Sequence, residues 1–197
     1  MQAAVILRPV SIRPLPLLLF LLAAGTLSSC GGGDDFSGDP KAPDGYKTYS
    51  TAGISFAYPG DWEVAERTDA DGAPAVEITP RDKAKTPYGL ISLSISPGAG
   101  ERFESLADQR RIVIRDVNKA KIESDDAVDI PGAEQALHAS TVTPPGRGTD
   151  PIEVRSNSLD VLRDNGDVVV LTAAAPQREG SEFDTEAVVS SFRLGGE

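Results

Sequence analysis

One thiol in 197 residues, Cys30, fixes the terms on which this chain folds. A single cysteine permits no disulfide within the chain, so stability must come from an ordinary apolar core. The hydrophobic share of 40% is sufficient for one. The position of that thiol is equally informative. It closes the sequence Leu27-Ser28-Ser29-Cys30, directly behind an apolar run from Leu15 to Ala24 that only Pro16 interrupts. Arg8 and Arg13 precede the run, no acidic residue occurs in 1–29, and Gly25, Thr26, Ser28 and Ser29 are small. A basic start, a short apolar centre and a small-residue approach are the three parts of an export signal. The apolar run is too short for a bilayer core of ~30 Å, which needs about 20 residues. Residues 1–29 therefore read as a lipoprotein signal peptide, with Cys30 as the lipidated residue at the cut. Cell-membrane localisation on the extracytoplasmic side follows.

Charge narrows the partners. The chain carries 30 acidic and 19 basic residues, a net charge of −11. Loss of Arg8 and Arg13 on processing would take this to −13. Nucleic acid is not expected as a partner, because phosphate recognition needs clustered Lys and Arg. Nor does so acidic a domain suit an anionic membrane surface, so anchoring is assigned to lipid on Cys30. The basic residues are mostly Arg, consistent with a GC-rich bacterial source.

Residues 30–45 hold Gly31-Gly32-Gly33-Asp34-Asp35, then a single aromatic, Phe36, among Gly, Asp and Pro. This composition cannot bury enough surface to fold. It reads as a flexible tether spanning roughly 20 Å, at ~5–6 Å times the square root of its length. That exceeds the ~8 Å Debye length at physiological salt.

From Tyr46 onward short strands are expected, in one domain over residues 46–197. Tyr46–Ser50 precedes a turn at Thr51-Ala52-Gly53. Ile54, Phe56 and Tyr58 alternate with Ser55 and Ala57, the period of a half-buried strand. Pro59-Gly60-Asp61 turns the chain into Trp62 and Val64. Val76 with Ile78, and Ile91, Leu93 and Ile95, continue the alternation. Residues 105–118 read as a helix with a Ser105…Asp108 capping box and a stripe of Phe103, Leu106, Ala107, Val113, Ile114 and Val117, interrupted by Arg110 and Arg111. Strands are expected over Ala120–Ser124, Glu134–Val142, Ile152–Leu162 and Val168–Ala175. Asn165-Gly166 favours a type I′ hairpin turn between the last two. Val168-Val169-Val170-Leu171 is apolar without alternation, which asks for cover on both sheet faces. A last helix is expected over Asp184–Ser191, capped by Ser181…Asp184. The expected fold class is α+β, an antiparallel sheet with helices on both faces.

The search for chemistry yields few candidates, and no catalytic, cofactor-binding or metal-ligating residue is assigned. His138 is the only histidine and lies inside an expected strand, where a packed or surface imidazole is the plain reading. A zinc site draws on several His and Cys ligands. A Ser-His-Asp triad would need His138 and a Gly-x-Ser-x-Gly elbow, which the sequence lacks. The acid pairs Asp69 with Asp71, Asp125-Asp126 and Asp164 with Asp167 fall in expected turns, where Asp bonds its own backbone. A calcium loop starting at Asp69 fails at Ala73 and at Pro80, where Glu is required. Two irregular segments could form a partner surface: Pro80–Tyr88, with Arg81, Lys83 and Lys85, and Pro144–Pro151.

Gly53-Ile54-Ser55-Phe56-Ala57-Tyr58-Pro59-Gly60-Asp61-Trp62-Glu63-Val64 resembles the opening hairpin of the PsbP-like superfamily, in which an aromatic strand runs through Pro and a turn into a Trp. Ser191-Phe192-Arg193-Leu194 resembles its close. With the Cys30 pattern in front, residues 46–194 resemble the actinobacterial LpqN-type lipoproteins of that group. The resemblance implies an α/β/α sandwich and a non-catalytic role, since its better-known members are a photosystem accessory protein and Ran-binding proteins. It places no functional residue on this chain. The expected function is a membrane-anchored lipoprotein with a binding or accessory domain for an unidentified protein or small molecule, monomeric and without cofactor. Alternatives are a cell-envelope hydrolase using paired carboxylates, or a carrier of a small apolar ligand.

Overall fold

The computed structural model describes residues 42–68, 72–81, 89–146, 152–177 and 183–195. Cys30 and its flanking segments lie outside them. The described chain forms two antiparallel sheets. The larger has seven strands in the order β3-β4-β5-β9-β8-β7-β6, from β3 (Trp62–Thr68), β4 (Pro74–Pro80), β5 (Leu90–Ser96), β6 (Lys121–Ala127), β7 (Ala133–Thr143), β8 (Val154–Arg163) and β9 (Val168–Pro176). The smaller pairs β1 (Tyr46–Thr51) with β2 (Ile54–Pro59), and β2 with the two-residue β10 (Arg193–Leu194). Helix α1 spans Phe103–Ile112 after a 3-10 turn at Gly100–Arg102, and passes directly into a π-helical stretch at Val113–Val117. Helix α2 is Thr185–Ser190.

This overturns the expected α/β/α sandwich. The domain is mostly β, and one face of the large sheet is closed by the small sheet together with α2. The physical reason lies at Pro59-Gly60-Asp61. There the chain leaves one sheet for the other, so the aromatic hairpin does not extend the large sheet but packs over it. Ile54 and Phe56 share a single buried cluster with Ile78, Leu93, Leu159 and Leu171 of the large sheet and with Val188, Val189 and Phe192 around α2. Each fully buried side chain of this kind contributes about 1.5–3 kcal/mol. Ser191 ties the layers together, accepting the Ala57 backbone N–H at 2.7 Å and donating to the Val188 carbonyl at 2.6 Å.

The unalternating run in β9 does gain cover on both faces. Val169 and Leu171 enter the cluster just described, while Val168 and Val170 turn to the opposite face. There α1 lays down Phe103, Leu106 and Ala107 against Leu137 and Leu162.

Local expectations fared unevenly. The strand at Leu90–Ser96 forms with the expected ends. Asn165-Gly166 does not make a type I′ turn, which needs positive φ at both residues. Only Gly166 has it, at 82°. The Gly166 N–H meets the Arg163 carbonyl, and the Arg163 N–H meets the Asp167 carbonyl, each at 2.9 Å. That is a three-residue loop closing in a left-handed glycine. The Ser105…Asp108 box is also absent. Helix α1 starts earlier, at Phe103, with Arg102 before it and no side-chain cap. The pull of Phe103 into the core outweighs a local cap. In α2 the cap is Asp184 itself, which accepts from the N–H groups of Glu186 and Ala187 at 3.0 and 3.1 Å; Ser181 lies outside the described residues. One close approach demands glycine: a Cβ on Gly89 would stand 2.5 Å from the Trp62 ring.

Candidate functional site

Two polar clusters sit where helices meet the large sheet. The first lies beneath α1. Asp160 on β8 stands opposite Leu137 and Val170 of the neighbouring strands, on the face that α1 covers, and its side chain is only 5% exposed. Arg110 donates from Nη1 to Asp160 Oδ1. One residue on, Arg111 grips Asp125 of β6 through Nε at 2.5 Å and Nη2 at 3.3 Å, and reaches Asp108 at 2.8 Å. Consecutive arginines on a helix diverge by about 100°, so two strands can be held at once.

The charges in this cluster are strained by burial. Desolvation pushes the Asp160 carboxyl up to about 6, against the pull of Arg110, with the Asp125 charge adding to the rise. Desolvation likewise holds the Arg110 guanidinium below its ordinary value, against the attraction of Asp160. Both partners report the same thing: removing these charges from water costs more than their mutual attraction returns. Arg110 Nε is buried with no hydrogen-bond partner among the described residues. Arg111, more open, is held well above its usual value, first by its hydrogen bond to Asp125. A carboxyl with a raised pKa is what a general acid requires. Asp160, however, is closed under a helix with its oxygen engaged by Arg110, and Asp125 is engaged by Arg111. The arrangement fixes α1 to the sheet.

The second cluster lies beneath α2. His138 on β7 is buried, with Nε2 3.7 Å from Glu186 Oε2. On the next strand Asn157 donates from Nδ2 to Thr185 Oγ1 at 3.0 Å, and its Oδ1 is buried without a partner among the described residues. The lone imidazole is thus packed, as the plain reading of its strand position expects. Among the described residues no group of three or more His, Cys, Asp or Glu side chains could hold a metal ion.

Other sequence candidates fall variously. Asp125 and Asp126 belong to β6 rather than to a turn. Asp164 is exposed in the β8–β9 loop, and Asp167 accepts the Gly98 N–H at 3.0 Å, a structural use. Asp69, Asp71, residues 82–88 and residues 147–151 lie outside the described residues; Arg81 and Pro144-Pro145-Gly146 are described and exposed. Sequence reading passed over Asp160 and Asn157. The signals were present: a charge inside the apolar run Leu159-Asp160-Val161, and two arginines breaking a helical stripe.

No family model and no curated protein matches the chain. Among solved structures, a protein from Bacteroides thetaiotaomicron VPI-5482 aligns with 15% identity and a TM-score of 0.46, covering 78% of this chain and 50% of that one. The chain thus spans half the length of that protein. A protein of unknown function from Pseudomonas aeruginosa aligns with 11% identity and a TM-score of 0.36, covering 67% of this chain and 83% of that one. Likenesses this distant carry no argument about activity.

Proposed function

We propose that this chain is an extracytoplasmic lipoprotein, held at the cell membrane by lipid on Cys30, whose domain over residues 46–197 binds a partner rather than turning over a substrate. The observation that carries this reading is the placement of the only thiol at Leu27-Ser28-Ser29-Cys30 behind a short apolar run with a basic start. The resemblance to PsbP-like and LpqN-type proteins supports it. So does the use of the buried charges, since Asp160 and Asp125 are each engaged by an arginine. The anchor is tested by intact mass of the membrane-extracted protein, with Cys30→Ser beside it. Acylated, shortened wild type and released or unprocessed variant are expected. A processed, unacylated chain that stays at the membrane would defeat the reading.

One observation favours the hydrolase alternative, the Asp160 carboxyl at about 6. Asp160→Asn decides it. If the domain is a binding module, the variant keeps partner capture from intact cells; a hydrolase would lose turnover on envelope glycans with its fold intact.

A further inference from the structure

The strand registers assign the loops of the domain to two opposite ends, and the two ends differ. Lys121, Val142, Arg155 and Ala175 stand level across β6, β7, β8 and β9. Leu90 pairs with Ala174, Ile91 with Ile78, and Pro80 with Trp62, which carries the same level across to β3. The chain reaches Trp62 from Pro59, which faces Tyr46. The first described residues, from Ala42, therefore join the domain at this end. The π-helical close of α1 arrives there too, since Lys121 follows it at the start of β6.

At the opposite end lie the β8–β9 loop with Asp164 and Asp167, Asp129 between β6 and β7, and Glu101 ahead of α1, together with Arg67, Arg102, Arg163 and Arg193. The end where the chain joins carries Lys47, Arg81, Arg115, Lys119, Lys121 and Arg155. Asp44, Asp61, Glu153 and Asp184 offset them. Glu123 is bonded by Arg155 at 2.9 Å, and Asp116 by Arg115 at 3.0 Å. The end where the chain joins is near balance among the described residues, so the acidity of the whole chain does not set its local charge.

The same end also holds misplaced apolar surface. Among the described residues the exposed large hydrophobics are Ile112, Val113 and Val117, at 51%, 46% and 69% exposure, all at the close of α1. Val117 leads straight to Lys119, which holds a left-handed φ of 54°. The sequence stripe counted Val113 and Val117 as core. The π-helical stretch, in which the Asn118 N–H meets the Val113 carbonyl at 3.0 Å, changes the phase of the helix beyond Val113 and leaves Val117 exposed. Exposed Pro144 and Pro145, just past the end of β7, add apolar surface at the same level.

We propose that this end is a second contact with the bilayer: Val113 and Val117 dip into the headgroup region, with Arg115, Lys119 and Lys121 among the phosphates. Apolar side chains flanked by long basic ones suit such an interface. The inference rests on lipid at Cys30, which confines the domain within tether length of the membrane and makes a weak contact effective.

The test uses the full acylated chain on vesicles of phosphatidylethanolamine and phosphatidylglycerol, with an environment-sensitive fluorophore on Val117→Cys or Asp164→Cys. The Val117 label is expected to shift to the blue and to be quenched by brominated lipid, while the Asp164 label stays in water. Equal exposure of the two labels on anchored protein would overturn the contact alone. Wild-type chain isolated from cells and found to carry no lipid on Cys30 and not to associate with vesicles would overturn the anchor as well.

Discussion

One face of the seven-stranded sheet is closed by Ile54, Phe56 and Phe192; the other is closed by a helix pinned through Arg110 and Arg111. On the first face most contacts are apolar and scale with area removed from water, the His138 and Asn157 cluster beneath α2 being the polar exception. On the second, a small apolar patch around Phe103 is supplemented by charges that must meet named partners. Area gives stability, whereas a buried ion pair gives little of it and instead fixes which residue sits where. The apolar face carries the larger buried cluster, and the other face ties α1 to β8 and β6 through Arg110 and Arg111.

The comparison breaks most readily by truncation. Phe56→Ala should lower unfolding free energy by about 3–5 kcal/mol, read from denaturant midpoints at constant slope. A loss near 1 kcal/mol would mean that the small sheet contributes far less than its burial implies. Arg110→Met leaves the Asp160 carboxylate buried without its cation and should cost about 3–5 kcal/mol at pH 7. Adding Asp160→Leu should recover most of it; a double variant as unstable as the single would show that the pair is worth more than an apolar replacement.

Acidity sharpens the same contrast. The Asp160 pKa is raised in the folded state to about 6, so the fold takes up a proton there that the unfolded chain, near 3.9, takes up only later. Its contribution is fully present below the unfolded value and is lost as pH rises through about 6. Wild type should therefore gain about 2 kcal/mol relative to Asp160→Asn between pH 7 and pH 4. Parallel pH profiles for the two proteins would refute the shift. The smallest effect concerns α2, the helix on the apolar face. Asp184→Ala removes both of its cap bonds and should cost about 1 kcal/mol, with circular dichroism otherwise unchanged.

Much of the strand pattern is legible in the residues. Ile91, Leu93 and Ile95 alternate because one face of β5 is buried, and the alternation marks both the element and the face. Asp184 is legible as a helix start for a similarly local reason. The polar clusters were not. Nothing near Asp160 in the sequence indicates Arg110, fifty residues earlier, and nothing near Asn157 indicates Thr185. Such pairs form only when separate elements are brought to one level of the sheet.

The sequence alone gives the single thiol at Cys30 behind a short apolar run, no disulfide within the chain, the acidic balance and most strand positions, because each is a matter of composition or of spacing along the chain. Tertiary structure decided that the aromatic hairpin forms a sheet of its own, that Val113 and Val117 are exposed, and that Arg110 meets Asp160. Those outcomes depend on register and helix phase, which set the partner each side chain meets across space and which no local pattern encodes.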